Sequence, residues 1–423
     1  MFRSLRHRNF QLFFSGQMIS LIGTWMDNIA EAWLVYRLTG SSLLLGTVAF
    51  AGQIPVFLMA PIGGMVADRF DRHKIVIATQ ASSMVLAFML AGLTLSGRVK
   101  VWEVIVLAAL MGAVNAFDIP ARQAFLVEMV GREDLMNAIA LNSSMFNGAR
   151  VIGPSIAGII VASVGEGWCF FANAVSYIAV ITGLLLMQLG PRRRAAIVTS
   201  PFEHIAEGFR FVFRARPIRA LLLLIGLVSF VAVPYSVLMP IFADRILHGG
   251  ALGLGLLMGA AGAGALLGAL TLTLRSGVQG LGRLVGFAAM GFGLSLALFS
   301  FSRIFWLSFA LLVPVGYGVM LQMASCNTLI QSMVPDELRG RALAAYTMMF
   351  MGMAPMGSLF AGAAAEHIGA PGTVALGGIA AIVGGFIFLR VLPSLRFEAR
   401  ELLVASQAIQ GEPAGQQAAG KMS

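Results

Sequence analysis

The sequence predicts an all-α membrane protein of twelve transmembrane helices in two pseudo-symmetric six-helix bundles, and three observations carry that prediction. Composition is the first: 58% of the 423 residues are hydrophobic and 11% are charged, against roughly 25% charged in soluble domains. The second is periodic: apolar spans of about 20 residues, enough to cross a bilayer core, recur between short loops of Arg, Gly, Pro and Asp. The third is a repeat at a constant spacing of 204 residues, pairing Gly112 with Gly316, Met129 with Met333, Gly153 with Gly357, Gly158 with Gly362 and Gly165 with Gly369. It runs without gaps over the fourth and fifth spans and their counterparts, as parallel duplication of a six-helix unit requires. The expected organisation is an N-terminal bundle (1–189), a basic linker (190–219), a C-terminal bundle (220–393) and a polar, disordered tail (394–423).

A net charge of +10 raises nucleic acid as a partner, but the cations fall in alternate short loops instead of on one soluble face. Arg37, Arg98, Lys100, Arg245 and Arg303 lie on one side, and most of the others, from Arg3, Arg6 and Arg8 onward, lie on the opposite side. This asymmetry predicts both termini in the cytoplasm, with no nucleic-acid partner. No small-residue cleavage site follows the N-terminal arginines, so the first span is expected to stay as a helix. Cys169 and Cys326 fall in different halves, and no structural disulfide is expected.

The first span, about 10–36, carries Gln17, Ser20, Thr24, Asp27, Asn28 and Glu31 at spacings of three and four, which on a helix make one polar stripe. At 1.5 Å per residue Asp27 lies about 15 Å inward of Arg37, near mid-bilayer. A carboxylate there costs roughly 2.5–3.5 kcal/mol on insertion scales, so two on one face imply an aqueous or protein-lined interior. The stripe is read as one wall of a transport cavity. The second span, about 43–67, offers Gly46, Gly52, Pro55, Pro61, Gly63 and Gly64 for close helix approach.

Gly64, Asp68, Arg69, Asp71, Arg72 and Lys74 then follow in the next loop. Their spacing resembles the loop signature of the major facilitator superfamily, Gly-x-x-x-Asp-Arg-x-Gly-Arg-x-Lys/Arg, with Asp71 in place of the second Gly. The resemblance implies that Asp68 braces the loop against the start of helix 11 and that the basic residues latch the cytoplasmic side. A solvated positive-inside loop is the plainer alternative. In the fourth span Asp118 and Arg122 stand one turn apart and can pair, either as an ion pair closing the cytoplasmic end or as part of coupling; Pro120 can kink the helix there.

The fifth span holds Asn137, Asn142, Ser143, Asn147 and Arg150 before Gly153-Pro154. An arginine inside a span needs water or a counter-charge, and a carboxylate of the first span or Asp118 is the candidate. The Gly-Pro step resembles an exporter signature of the superfamily, with a simple kink as the alternative. Asn173, Ser176 and Tyr177 share a face of the sixth span, and Phe202, Ile205, Phe209 and Val212 predict an amphipathic helix in the linker. The second half has Leu272 where Asp68 stands and no acid deep in a span, but carries Tyr235, Met239, Tyr317, Gln322, Asn327, Tyr346 and a methionine run that includes Met349. Methionines adapt to irregular apolar shapes, although lipid-facing or core positions are the common use of such a run. The residues expected to line the substrate cavity are Gln17, Thr24, Asn28, Asn147, Asn173, Tyr177, Tyr235, Met239, Gln322, Tyr346 and Met349.

No metal-ligand spacing and no phosphate-cradling loop appear, and no nucleophile–base constellation is found, so neither an enzyme nor an ATP-driven pump is expected. Secondary transport remains. Two carboxylates one turn apart titrate as a coupled pair and can take a proton from one side and release it to the other. The expectation is proton-driven export of a small amphipathic or lipophilic compound by alternating access, with Asp27 and Glu31 as proton sites and Arg150 competing for them. The expected partners are this substrate, protons and membrane lipids; no cofactor is expected and the chain is expected to act as a monomer. Thr24-Trp25-Met26, Ala32 to Ser41, Asp118 to Gln123 and Asn142 to Arg150 resemble the bacterial branch that includes enterobactin-type siderophore exporters. That resemblance implies export of siderophores, drugs or other secreted metabolites; uptake of a nutrient and flipping of a lysolipid would use the same fold.

Overall fold

A computed structural model describes residues 3–188, 215–275 and 277–409, almost wholly as helix. The first half consists of α1 (Arg8–Thr39), α2 (Ser42–Arg69), α3 (Arg72–Leu95), α4 (Val101–Val130), α5 (Leu135–Val164) and α6 (Glu166–Leu185). In the second half α7 (Arg216–Val231) continues through tighter and wider turns to Ile246, a break that coincides with Pro234 and Pro240, each lacking a backbone N–H. Then come α8 (Gly250–Thr273), α9 (Leu281–Phe301) and α10 (Phe305–Met333). The stretch Asp336–Ile409 is broken at Gly369 (φ 73°, ψ 160°) into α11 (336–368) and α12 (370–409).

Each half therefore has six membrane-length segments. Ten described helices are long and apolar enough to cross a membrane, one of them the 61-residue stretch Leu338–Glu398 that holds two segments. Helix α1 is outside that set because its polar stripe dilutes its apolar character. The repeat in the sequence is visible in the backbone: Gly165 between α5 and α6 has φ 93° and ψ 168°, nearly the geometry of Gly369 between α11 and α12. A side chain is strained at such positive φ, which accounts for glycine at both turns.

The polar tail expected from 394 needs correction. Helix runs on to Ile409, because Glu398, Ala399, Arg400, Glu401, Leu402 and Leu403 are strong helix formers. Most of the expected linker, including Phe202, Ile205, Phe209 and Val212, lies outside the described residues, and its last positions belong to α7.

The halves meet along two seams, α5 with α8 and α2 with α11. A Cβ on Gly158 would stand 3.1 Å from the Gly255 Cα, and one on Gly46 would stand 3.2 Å from the Gly362 Cα. Glycines there let the backbones touch. Both contacts lie toward the face that carries Thr39 and Ser42. Toward the opposite, arginine-rich face, Cβ atoms on Gly64, Gly148 and Gly340 would find no described atom within 4 Å. The halves are closed together at the far face and parted at the basic face.

Candidate transport site

Helix periodicity puts Asp27 and Glu31 on the same side of α1, and packing of α1 against α4 and α6 buries that side. Asp27 is 9% exposed and Glu31 is half-buried. Together with Leu86 and Leu90 of α3 and Val104, Leu107 and Met111 of α4 they line a cavity of about 20 Å³, room for a single water. Asn173 of α6 interacts with Asp27, yet Asp27 Oδ1 has no hydrogen-bond partner among the described residues.

The acids therefore face the interior of the N-terminal bundle and not the opening between the halves, a correction to the reading of the stripe as a cavity wall. The reason is angular. Six residues at spacings of three and four cover an arc near 100°, wide enough for its edges to meet different surroundings. Asn28, one residue from Asp27, is exposed, while Gln17 is 4% exposed with Oε1 unpartnered and Thr24 Oγ1 donates to the Ser20 carbonyl at 3.0 Å.

Arg150 needs a second correction. Its guanidinium lies over the Trp25 ring, 5.7 Å from the centroid, with Tyr235 of the second half as its electrostatic neighbour. Trp25 and Asp27, two residues apart, point about 200° apart on α1, so an arginine stacked on the tryptophan is on the wrong side to compete for the acids. No ion pair among the described residues includes Arg150. Asp118, the other expected partner, is engaged elsewhere: Arg122 Nε donates to Oδ2 at 3.0 Å, and Thr79 Oγ1 and Gln80 Nε2 donate to Oδ1 at 2.8 and 2.9 Å. The expected pairing one turn apart is what the structure contains.

The remaining cavity candidates divide. Tyr177 is 6% exposed and packs with Ala87 and Ala174 between α3 and α6, and Asn173 is 1% exposed. Met239 and Gln322 are fully buried in the second half, Gln322 with both amide atoms unpartnered among the described residues, and Tyr235 is 7% exposed. All five are buried side chains, and Tyr235 lies beside Arg150 where the two halves meet. Asn147, whose amide donates to the Ser143 carbonyl at 2.9 Å, Tyr346, which donates to the Met323 carbonyl at 3.0 Å, and Met349 stay half-buried.

In the loop, Asp71 caps α3 by accepting from the backbone N–H groups of His73 and Lys74 at 3.0 and 3.4 Å, with φ −70°. The turn needs no glycine there. Arg72 donates to the Ala67 carbonyl at 3.1 Å and to Glu128 of α4 at 3.0 Å, and lies 3.5 Å from Asp68. Arg69 and Lys74 are exposed and Gly64 has open space beside it.

Sequence reasoning missed a clasp across the far face. Tyr36 Oη donates to Asp244 Oδ2 at 2.7 Å, Ser41 Oγ to Glu366 Oε1 at 2.7 Å, and Arg245 to the Gly40 carbonyl at 3.4 Å while covering the Tyr36 ring. The partners of Asp244 and Glu366 lie 208 and 325 residues away in the chain, beyond the reach of any local pattern.

The model of a family described as transmembrane secretion effector matches residues 1–413. The staphyloferrin A transporter of Staphylococcus aureus is 27% identical over 92% of this chain and 98% of its own length. The enterobactin exporter EntS of Shigella boydii is 25% identical over 92% and 93% respectively. Among solved structures, a D-xylose-proton symporter superposes with a TM-score of 0.70 at 14% identity, over 91% of this chain and 96% of that one, a likeness of fold. With two six-helix halves, the superfamily loop between α2 and α3, and this match over nearly the whole length, the chain belongs to the transmembrane secretion effector family of major facilitator superfamily transporters.

Proposed function

We propose that the protein exports a small amphipathic or lipophilic compound, of the siderophore or drug class, from the cytoplasm across a bacterial inner membrane by alternating access, driven by protons. The observation that carries this reading is the placement of Asp27 and Glu31 together at a one-water cavity inside the N-terminal bundle, with one carboxylate oxygen lacking a protein partner. Such a pair holds a proton in exchange with a trapped water. Protonation there acts on substrate through α1, whose other face carries Trp25 under Arg150 at the meeting of the two halves. Arg150, with no carboxylate partner among the described residues, offers its charge to an anionic or polar group of the substrate. The excess of arginines on the open face supports the orientation with both termini in the cytoplasm, and the relatives' roles support export of siderophores.

The test is transport in proteoliposomes. Asp27→Asn with Glu31→Gln abolishes export driven by a pH gradient while leaving substrate counterflow, which needs no proton movement, measurable. Full retention of gradient-driven export by that double variant would refute the assignment of the proton sites.

A further inference from the structure

The ends of the two bundles nearest the basic face differ in how they are filled. In the N-terminal half, Phe10, Phe13, Phe125, Met129 and Leu184 pack into a closed apolar cluster. At the matching spacing of 204 residues, the second half has Leu329 for Phe125, Met333 for Met129 and Phe388 for Leu184. There the space between α7, α9, α10 and α12 stays open, as a chamber of about 400 Å³ walled by Leu221, Leu329, Met333 and Phe388, with Arg283 and Arg396 at its rim. That volume is in the range of roughly 300–1,000 Å³ seen for small-molecule sites.

The rim is cationic and unspent. Arg283 and Arg396 are exposed, Arg216 and Arg219 stand exposed at the start of α7, and no ion pair among the described residues includes any of the four. An apolar pocket rimmed by arginines where membrane helices emerge asks for a ligand with an acyl chain and an anionic head. A small inorganic anion would leave the apolar depth unfilled, and a neutral lipid would leave the guanidinium groups unmatched.

We infer that this chamber is a binding site for an anionic phospholipid of the leaflet at the basic face, the acyl chain entering between α7, α9, α10 and α12 and the phosphate held by Arg283 and Arg396. The inference is independent of the proton sites and of the substrate.

Full-length protein in neutral detergent is titrated with phosphatidylglycerol bearing a photoactivatable acyl chain, with the matching phosphatidylcholine as control. Phosphatidylglycerol labels the segments containing Leu329 and Phe388 in preference to phosphatidylcholine. Arg283→Gln combined with Arg396→Gln weakens that labelling roughly 25-fold, about fivefold for each arginine lost. Leu329→Phe, which copies the filled half, removes the labelling with no loss of melting temperature. Equal labelling by the two lipids, or undiminished labelling of the double arginine variant, overturns the site. Protection of the chamber from both lipids overturns it as well, since part of this chain then occupies the space.

Discussion

In the N-terminal half the basic end is closed by Phe10, Phe13 and Phe125 and tied down by the N-terminus, where Ser4 Oγ donates to Asn137 Oδ1 at 2.8 Å and His7 lies 2.8 Å from Asp134. In the C-terminal half the same end is hollow. A second contrast lies deeper, at positions 204 residues apart: Asp118 is satisfied by Thr79, Gln80 and Arg122, whereas Gln322, together with Ser325 and Ser229, keeps buried polar atoms without partners among the described residues. At this pair of positions the first half uses its polar groups to fix a geometry and the second buries them unmatched with room beside its helices, although Gln17, Asp27 and Gln80 of the first half each keep one buried oxygen unpartnered among the described residues as well. Buried unpaired polar groups in a native structure call for an explanation such as exchange between arrangements or unplaced water. The comparison teaches that duplication copied the helices and turns while the charge and the packing diverged, with the acids concentrated in the first half.

The contrast can be broken from both sides. Asp118→Ala leaves Arg122 and two hydrogen-bond donors facing an empty place, and removal of one member of a buried pair costs about 3–5 kcal/mol; a large drop in melting temperature in detergent is expected, and a shift near zero would show that the network does not hold the N-terminal half. Tyr36→Phe removes a charge-assisted hydrogen bond worth about 1.5–3 kcal/mol from the clasp between the halves. Cysteine labelling on the far face should then rise as that face opens more often, and unchanged labelling would count against the clasp.

At the position equivalent to Asp118 the sign reverses. Gln322→Leu replaces unpartnered amide atoms, whose burial costs about 1–3 kcal/mol, by an apolar side chain of similar size, so the melting temperature should hold or rise. A fall as large as that of the Asp118 variant would mean that both halves are held by polar networks. The smallest effect belongs to Asp71→Gly, which restores the residue usual in the loop signature; exchanging an N-cap acid for glycine costs only a few tenths of a kcal/mol, and an unfolded or inactive variant would show that Asp71 does more than cap α3.

By itself the sequence determined whatever depends on position along one helix or on composition. Hydropathy set the membrane spans, the spacing of Asp118 and Arg122 set their pairing, and the paired glycines at 165 and 369 set the same turn twice, since each of these is a local property of backbone and side chain. Tertiary structure alone decided the azimuths. Whether the stripe on α1 looks into its own bundle or toward the other half, whether Arg150 meets an acid or Trp25, and whether Leu329 leaves a chamber where Phe125 fills one all depend on which helix stands next to which. Helical periodicity fixes the angle between two residues of one helix but carries no information on where the neighbouring helices lie.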